Sequence, residues 1–96
     1  MKAKVAEQVF EVQVEWETDE DGDHSLSVGF DGKTPEYWGI VCPHHEGYFE
    51  VVGGWGDVQY SVHDSLGEAK NQAERSAIDN LTRRYHIEIE ITKEKP

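Results

Sequence analysis

The chain has 96 residues, with nine Lys or Arg against twenty Asp or Glu and a formal net charge of −11. This length predicts one domain over residues 1–96, and no apolar run is long enough for a transmembrane helix. Cys42 is the only cysteine, which excludes an internal disulfide, and the N-terminal "MKAKVAEQVF" lacks the apolar core of a secretory signal. We therefore expect a cytoplasmic protein with no membrane contact, and the excess of carboxylates disfavours direct binding to nucleic acid.

Alternating apolar and polar residues predict a series of antiparallel strands before residue 63. In residues 10–17 the apolar side chains face one way and the polar ones, mostly glutamates, face the other; residues 25–30 repeat the pattern. Turn signals rich in Gly and Pro separate further strands at 37–41, 48–52 and 58–62. The inward positions of the first strand are Phe10, Val12, Val14 and Trp16.

The stretch "EWETDEDGDH", residues 15–24, joins the first two of these strands. Its centre, "DEDGD", predicts a hairpin turn, because Gly22 and short acidic residues tolerate turn geometry. Asp19, Asp21 and Asp23 also match the first three ligand positions of a calcium loop. The glycine and the glutamate that such a loop requires later are replaced by His24 and Phe30, so the hairpin interpretation is favoured.

The periodicity becomes helical from residue 65 to about residue 84. Ser65 and Glu68 form a capping-box pattern, and apolar residues then recur every three or four positions at Leu66, Ala69, Ala73, Ala77 and Leu81. The segment "HIEIEIT", residues 86–92, alternates again and predicts a final strand. The predicted fold is α+β, in the order β-β-β-β-β-α-β, with the helix on one face of an antiparallel sheet of five to six strands.

The segment "CPHHE" supplies the main candidates for a metal or ligand site. Cys42, His44 and His45 are acceptable zinc ligands, but a structural zinc site normally needs four ligands in two spaced pairs. The second pair is missing, so an exposed turn is the favoured interpretation and we expect no cofactor. No catalytic signature accompanies these residues, which predicts a protein that is not an enzyme. A small ligand-binding or metal-binding domain built around them is the alternative.

The charge is distributed unevenly along the chain. Between Val5 and Glu68, Lys33 is the only basic residue among fifteen acidic ones. The same region is rich in Tyr, Trp and Phe. Because alternation lets only about half of a strand face the core, some of these rings face solvent or a partner. Exposed aromatic residues beside carboxylates are typical of a protein-binding surface.

These patterns favour a non-enzymatic interaction protein that docks on a basic surface, such as the nucleic-acid-binding groove of another protein. Carboxylates on neighbouring strands approximate the spacing of phosphates along a nucleic-acid strand. Small acidic proteins of phages and mobile elements act in this way on host nucleases or CRISPR complexes. The predicted partner-binding residues are Glu11, Glu15, Glu17, Asp19, Glu20, Asp21 and Asp23, with Trp55 as an aromatic anchor. A homodimer through an exposed strand edge is also compatible with the sequence.

The helical segment "DSLGEAKNQAERSAIDNL", following an acidic run of strands, resembles antitoxins of the HicB type. The resemblance implies an antitoxin module as a further alternative. The basic DNA-binding segment that such proteins usually add is absent, and no functional residue is carried over to this chain.

Overall fold

The computed structural model describes the backbone of residues 2–5, 8–30 and 32–94, and the side chains of residues 11–30 and 32–85. The fold is α+β, with antiparallel strands that lie side by side in chain order and a helix at the C-terminal end. The strands are β1 (Lys2–Val5), β2 (Gln8–Thr18), β3 (His24–Phe30), β4 (Glu36–Pro43), β5 (Phe49–Gly53) and β6 (Gln59–His63), and the helix is α1 (Leu66–Glu94).

The five strands predicted before the helix correspond to β2 to β6, and each pairs antiparallel with the next. β1 was not predicted; it pairs with β2, with Lys2 opposite Glu11. The side chain of Phe10, predicted to face inward, lies outside the described residues.

The prediction of a final strand at residues 86–92 is wrong, because this segment continues α1 to Glu94. The order of elements is therefore β-β-β-β-β-β-α. The alternation of Ile and Glu indicates a strand when read alone, but Glu is a good helix former. Adding residues to a helix that has already formed gains one hydrogen bond per residue without a second nucleation step. No helix in the described part of the chain combines the length and apolarity needed to cross a membrane.

The start of α1 agrees with the predicted cap. The Ser65 hydroxyl accepts a hydrogen bond from the backbone N–H of Glu68 at 3.2 Å, which satisfies one of the free amides at the helix N-terminus. The buried stripe of the helix consists of Ala69, Ala73 and Ala77, each at most 1% exposed. These small side chains let α1 lie close to the sheet, where they pack on buried residues of β3, β4 and β5.

A β-bulge in β4 brings Trp38 into the core. Leu26 of β3 lies opposite Gly39 while Ser27 lies opposite Tyr37, so Trp38 is the extra residue between the two pairs. Trp38 is 2% exposed, and its indole N–H donates a hydrogen bond to the Asn80 side-chain oxygen on α1 at 2.9 Å. The bulge thus ties the middle of the sheet to the helix.

Candidate functional site: the open face of the sheet

α1 covers one face of the sheet and leaves the other, called here the open face, to solvent. Along β2 the two faces separate cleanly: Val12 is buried, and Trp16 donates its indole N–H to Glu74 of α1 at 2.8 Å. The residues that alternate with them, Glu15 and Glu17 among others, are exposed on the open face. Cross-strand partners share a face, so the register assigns the open-face residues of the other strands.

Carboxylates line one side of the open face and continue into the β2–β3 turn. The acidic strip is defined here as Glu15, Glu17, Asp19, Glu20 and Asp21, all of which are exposed. The Asp19 carboxylate accepts the backbone N–H groups of Asp21 and Asp23 at 2.9 and 3.0 Å. The turn predicted from "DEDGD" is therefore held by its first aspartate, and Gly22 adopts a φ of 85° that few other residues tolerate.

A shallow depression lies beside the acidic strip. Ser25 and Ser27 of β3 form its floor, because their short side chains leave space between the longer ones on β2 and β4. Glu15 and Glu17 stand on one side of the depression. Tyr37 stands on the other side and is 59% exposed. Two carboxylates and an aromatic ring thus face a common space.

The far side of the open face is apolar. The apolar patch is defined here as Ile40, Val52, Tyr60 and Val62, which the register places on the open face of β4, β5 and β6. Tyr60 and Val62 are 60% and 48% exposed. Glu50 lies among them, and it raises the pKa of Tyr60, second to the effect of partial burial. The open face therefore divides into an acidic half at β2 and an apolar half at β5 and β6.

The basic side chains among residues 11–30 and 32–85 lie elsewhere: Lys33 in the β3–β4 loop, and Lys70, Arg75, Arg83 and Arg84 on α1. Several of them make contacts on the helix side. The Lys70 ammonium lies 5.0 Å from the centre of the Trp16 ring, and the Arg84 guanidinium forms a 2.8 Å ion pair with Glu36. Positive charge is thus gathered on the side of the sheet opposite the acidic strip.

Five of the eight predicted partner-binding residues form the acidic strip, and the other three, Glu11, Trp55 and Asp23, lie outside it. Glu11 belongs to the open face, yet the register places its backbone opposite Lys2. Trp55 lies on the helix side, where its ring packs against the core and its indole N–H donates to the Tyr37 carbonyl oxygen at 2.8 Å. Its role as an anchor stays a prediction, separate from the open face.

The remaining predicted residue, Asp23, is half-buried and lies beside Cys42. Burial of the thiol, followed by the charge of Asp23, raises the pKa of Cys42 above its ordinary value. A raised pKa reduces the fraction of thiolate at neutral pH, which is the opposite of what a nucleophilic cysteine requires.

The His44 side chain of "CPHHE" makes its contacts within the turn between β4 and β5. The His44 ring stacks on Tyr48 with ring centres 4.2 Å apart, and its Nδ1 accepts the backbone N–H of Glu46 at 3.2 Å. The described residues contain no group of three or more His, Cys, Asp or Glu side chains arranged to hold a metal ion.

Sequence reasoning missed three members of the depression: Ser25, Ser27 and Tyr37. The alternation in residues 25–30 places both serines on the polar face, but only the pairing register shows that Tyr37 lies opposite Ser27. The sequence therefore predicts on which face of the sheet the two serines lie, but it does not predict which residues of β2 and β4 lie next to them.

Comparison with protein-family models, with curated proteins and with solved structures found no match for this chain. The resemblance to HicB-type antitoxins accordingly stays a prediction from the helical segment alone.

Proposed function

We propose that this chain is a non-enzymatic interaction module whose open face binds a basic protein surface. The observation that carries the proposal is the depression over Ser25 and Ser27, with Glu15 and Glu17 on one side and Tyr37 on the other. This arrangement fits one cationic side chain, preferably arginine, from the partner.

Arginine suits the depression for chemical reasons. A guanidinium donates hydrogen bonds in a planar fork that matches carboxylate geometry, and it also stacks on aromatic rings. Glu15 and Glu17 are ready acceptors, and Tyr37 offers the ring of a cation–π contact. Lysine would make the same ion pairs with one compact charge, and without the planar stacking.

The rest of the acidic strip supports the same partner by acting at longer range. Glu20 and Asp21 extend the negative field beyond the depression, which speeds the approach of a positively charged surface. Proteins that bind nucleic acid carry such basic surfaces. We therefore favour a role for this chain as an inhibitor that occupies the nucleic-acid-binding groove of its partner. This is the same role that size and charge predict from the sequence.

The first experiment titrates a short arginine-rich peptide into the protein, with a citrulline version of the peptide as the neutral comparison. Replacing Glu15 and Glu17 together by Gln should weaken binding roughly five- to thirtyfold, because two exposed ion pairs contribute about 0.5–1 kcal/mol each. The matched control replaces Asp57 and Glu68 by Asn and Gln, which removes the same charge from exposed positions outside the depression. Equal losses in the two double variants would contradict a localised site.

The second experiment tests the turn and the class of partner. Glu20→Lys with Asp21→Lys should weaken binding while the fold is kept; Asp19 is left intact because its carboxylate holds the turn. A basic protein captured from a lysate of the source organism should be released by added duplex DNA and by high salt. A captured protein that ignores both treatments would refute the charge-led interface.

A further inference from the structure

The outer edge of the sheet is formed by β6, which lies at the end of the strand order. The hydrogen-bond pattern next to it can be established from one contact. The N–H of Gly54 donates to the carbonyl oxygen of Trp38 at 3.1 Å, which marks the adjacent Gly39–Gly53 pair as a non-hydrogen-bonded pair between β4 and β5. Bonded and non-bonded pairs alternate in an antiparallel ladder, so Gly53 directs its backbone groups towards β6 instead.

The same alternation fixes the direction of the backbone groups in β6. Val51, two residues from Gly53, also bonds towards β6, where its partner is Ser61. The residues on either side of Ser61 must then point their N–H and C=O groups away from β5. These residues are Tyr60 and Val62, so the free edge presents a row of strand donors and acceptors.

The features that commonly block a strand edge are missing from β6. Its sequence, QYSVH, contains no Pro, Lys, Asp or Glu. The two residues with outward backbone groups also carry exposed apolar side chains, with Tyr60 at 60% and Val62 at 48%. An edge of this kind is suited to pairing with another strand.

We propose that the strand it pairs with is β6 of a second copy of this chain, in an antiparallel register centred on Ser61. This register is self-complementary, since Tyr60 of each copy lies opposite Val62 of the other. The pair occurs twice, with two backbone hydrogen bonds each time. An aromatic ring opposite a β-branched residue is also a favourable cross-strand pair.

Most of the negative charge of the open face lies far from this interface, although each chain has a net charge of −11. The acidic strip starts on β2, four strands from β6, so pairing through β6 puts the two strips about 43 Å apart at about 4.8 Å per strand. The two Glu50 side chains, nearer the edge, would be about 14 Å apart. Both separations exceed the screening length of about 8 Å at physiological salt. The exposed Asp57 and Asp64, which flank β6, come closer, because this register places Asp64 of each copy opposite Val58 of the other, next to Asp57. Higher salt should therefore strengthen association.

The experiment is sedimentation equilibrium of the full chain across the micromolar range. Wild type should approach twice the 10.9 kDa chain mass as concentration rises. Val62→Lys places an ammonium in the apolar pair and should weaken association about tenfold or more. Asn71→Lys, which adds the same charge at an exposed position on α1, should leave association unchanged.

A second variant, Tyr60→Pro, removes one outward N–H and should abolish the dimer, while circular dichroism checks that the strands remain. A wild-type chain that stays monomeric throughout, or a dimer that survives both β6 variants in folded form, would overturn the proposal. The test is independent of the arginine site. Val62→Lys should still bind the arginine-rich peptide, and the Glu15/Glu17 double variant should still dimerise.

Discussion

Gly53 makes room for the ring of Trp38, and adding one methyl group there tests how the sheet and helix are held together. A Cβ atom at Gly53 would lie 2.5, 2.6 and 2.8 Å from three carbon atoms of the Trp38 ring. Favourable carbon–carbon contacts lie at about 3.5–4.0 Å, so the ring must move by about 1 Å. Trp38 has little freedom to do so, because it is 2% exposed and hydrogen-bonded to Asn80.

The expected cost of Gly53→Ala follows from these two constraints. Forcing an extra methyl into a packed core costs about 1–3 kcal/mol, and weakening the Trp38–Asn80 hydrogen bond adds about 1 kcal/mol. We therefore expect the free energy of unfolding to fall by about 2–4 kcal/mol. The control is Gly67→Ala in the first turn of α1, where the added Cβ meets nothing within 4 Å. Alanine favours the helix, so this variant should gain up to about 1 kcal/mol.

Urea unfolding followed by tryptophan fluorescence and by circular dichroism measures both variants. A double-mutant cycle with Trp38→Leu identifies the cause, since a smaller side chain at position 38 should relieve the clash. The cycle should therefore show a coupling of about 1 kcal/mol or more between the two positions. A Gly53→Ala variant within about 0.5 kcal/mol of wild type, or additive effects in the cycle, would refute the packing argument.

Two further predictions concern the helix cap and the apolar patch. Ser65→Ala should lower the free energy of unfolding by about 1 kcal/mol and Ser65→Asp should retain it, as measured by thermal melts; equal losses would contradict the capping role. Partial burial and then the charge of Glu50 raise the pKa of Tyr60, so the folded state favours the neutral phenol and loses this contribution to stability as the pH rises through the folded pKa. Glu50→Gln should shift the tyrosinate absorbance change of Tyr60, assigned with Tyr60→Phe, to lower pH; an unchanged titration would contradict the charge effect.

The local chemistry of the chain was sufficient to predict most of the fold. Strict alternation fixes which residues of β2 and β3 face the helix, and a glycine among aspartates is enough to specify the turn between them. The bulge at Trp38 could not be predicted in the same way. Alternation states that Tyr37 and Trp38 face opposite ways, but which ring is buried depends on the space that Gly53 leaves across the sheet.

Two further differences also have tertiary causes. The segment 86–92 carries a strand-like alternation, but it directly follows a helix that is already formed, so continuation competes with a new strand. The depression over Ser25 and Ser27 depends on pairing across three strands, and the sequence does not specify which residue of β4 lies opposite each serine. The distribution of charge along the chain follows from the sequence, whereas the residues that lie side by side on neighbouring strands are known only from the structure.

The two halves of the open face should respond to salt in opposite ways. A site led by Glu15 and Glu17 loses affinity as ionic strength rises, because exposed charges are screened within about 8 Å at physiological salt. Pairing through Tyr60 and Val62 depends on apolar burial and backbone hydrogen bonds, and higher salt further reduces repulsion between two negative chains. β2 and β6 lie about 19 Å apart across the sheet, more than twice this screening length, so neither effect should carry over to the other. A single salt titration that records peptide binding and chain mass together therefore separates the two surfaces, and parallel changes in both would mean that they act as one.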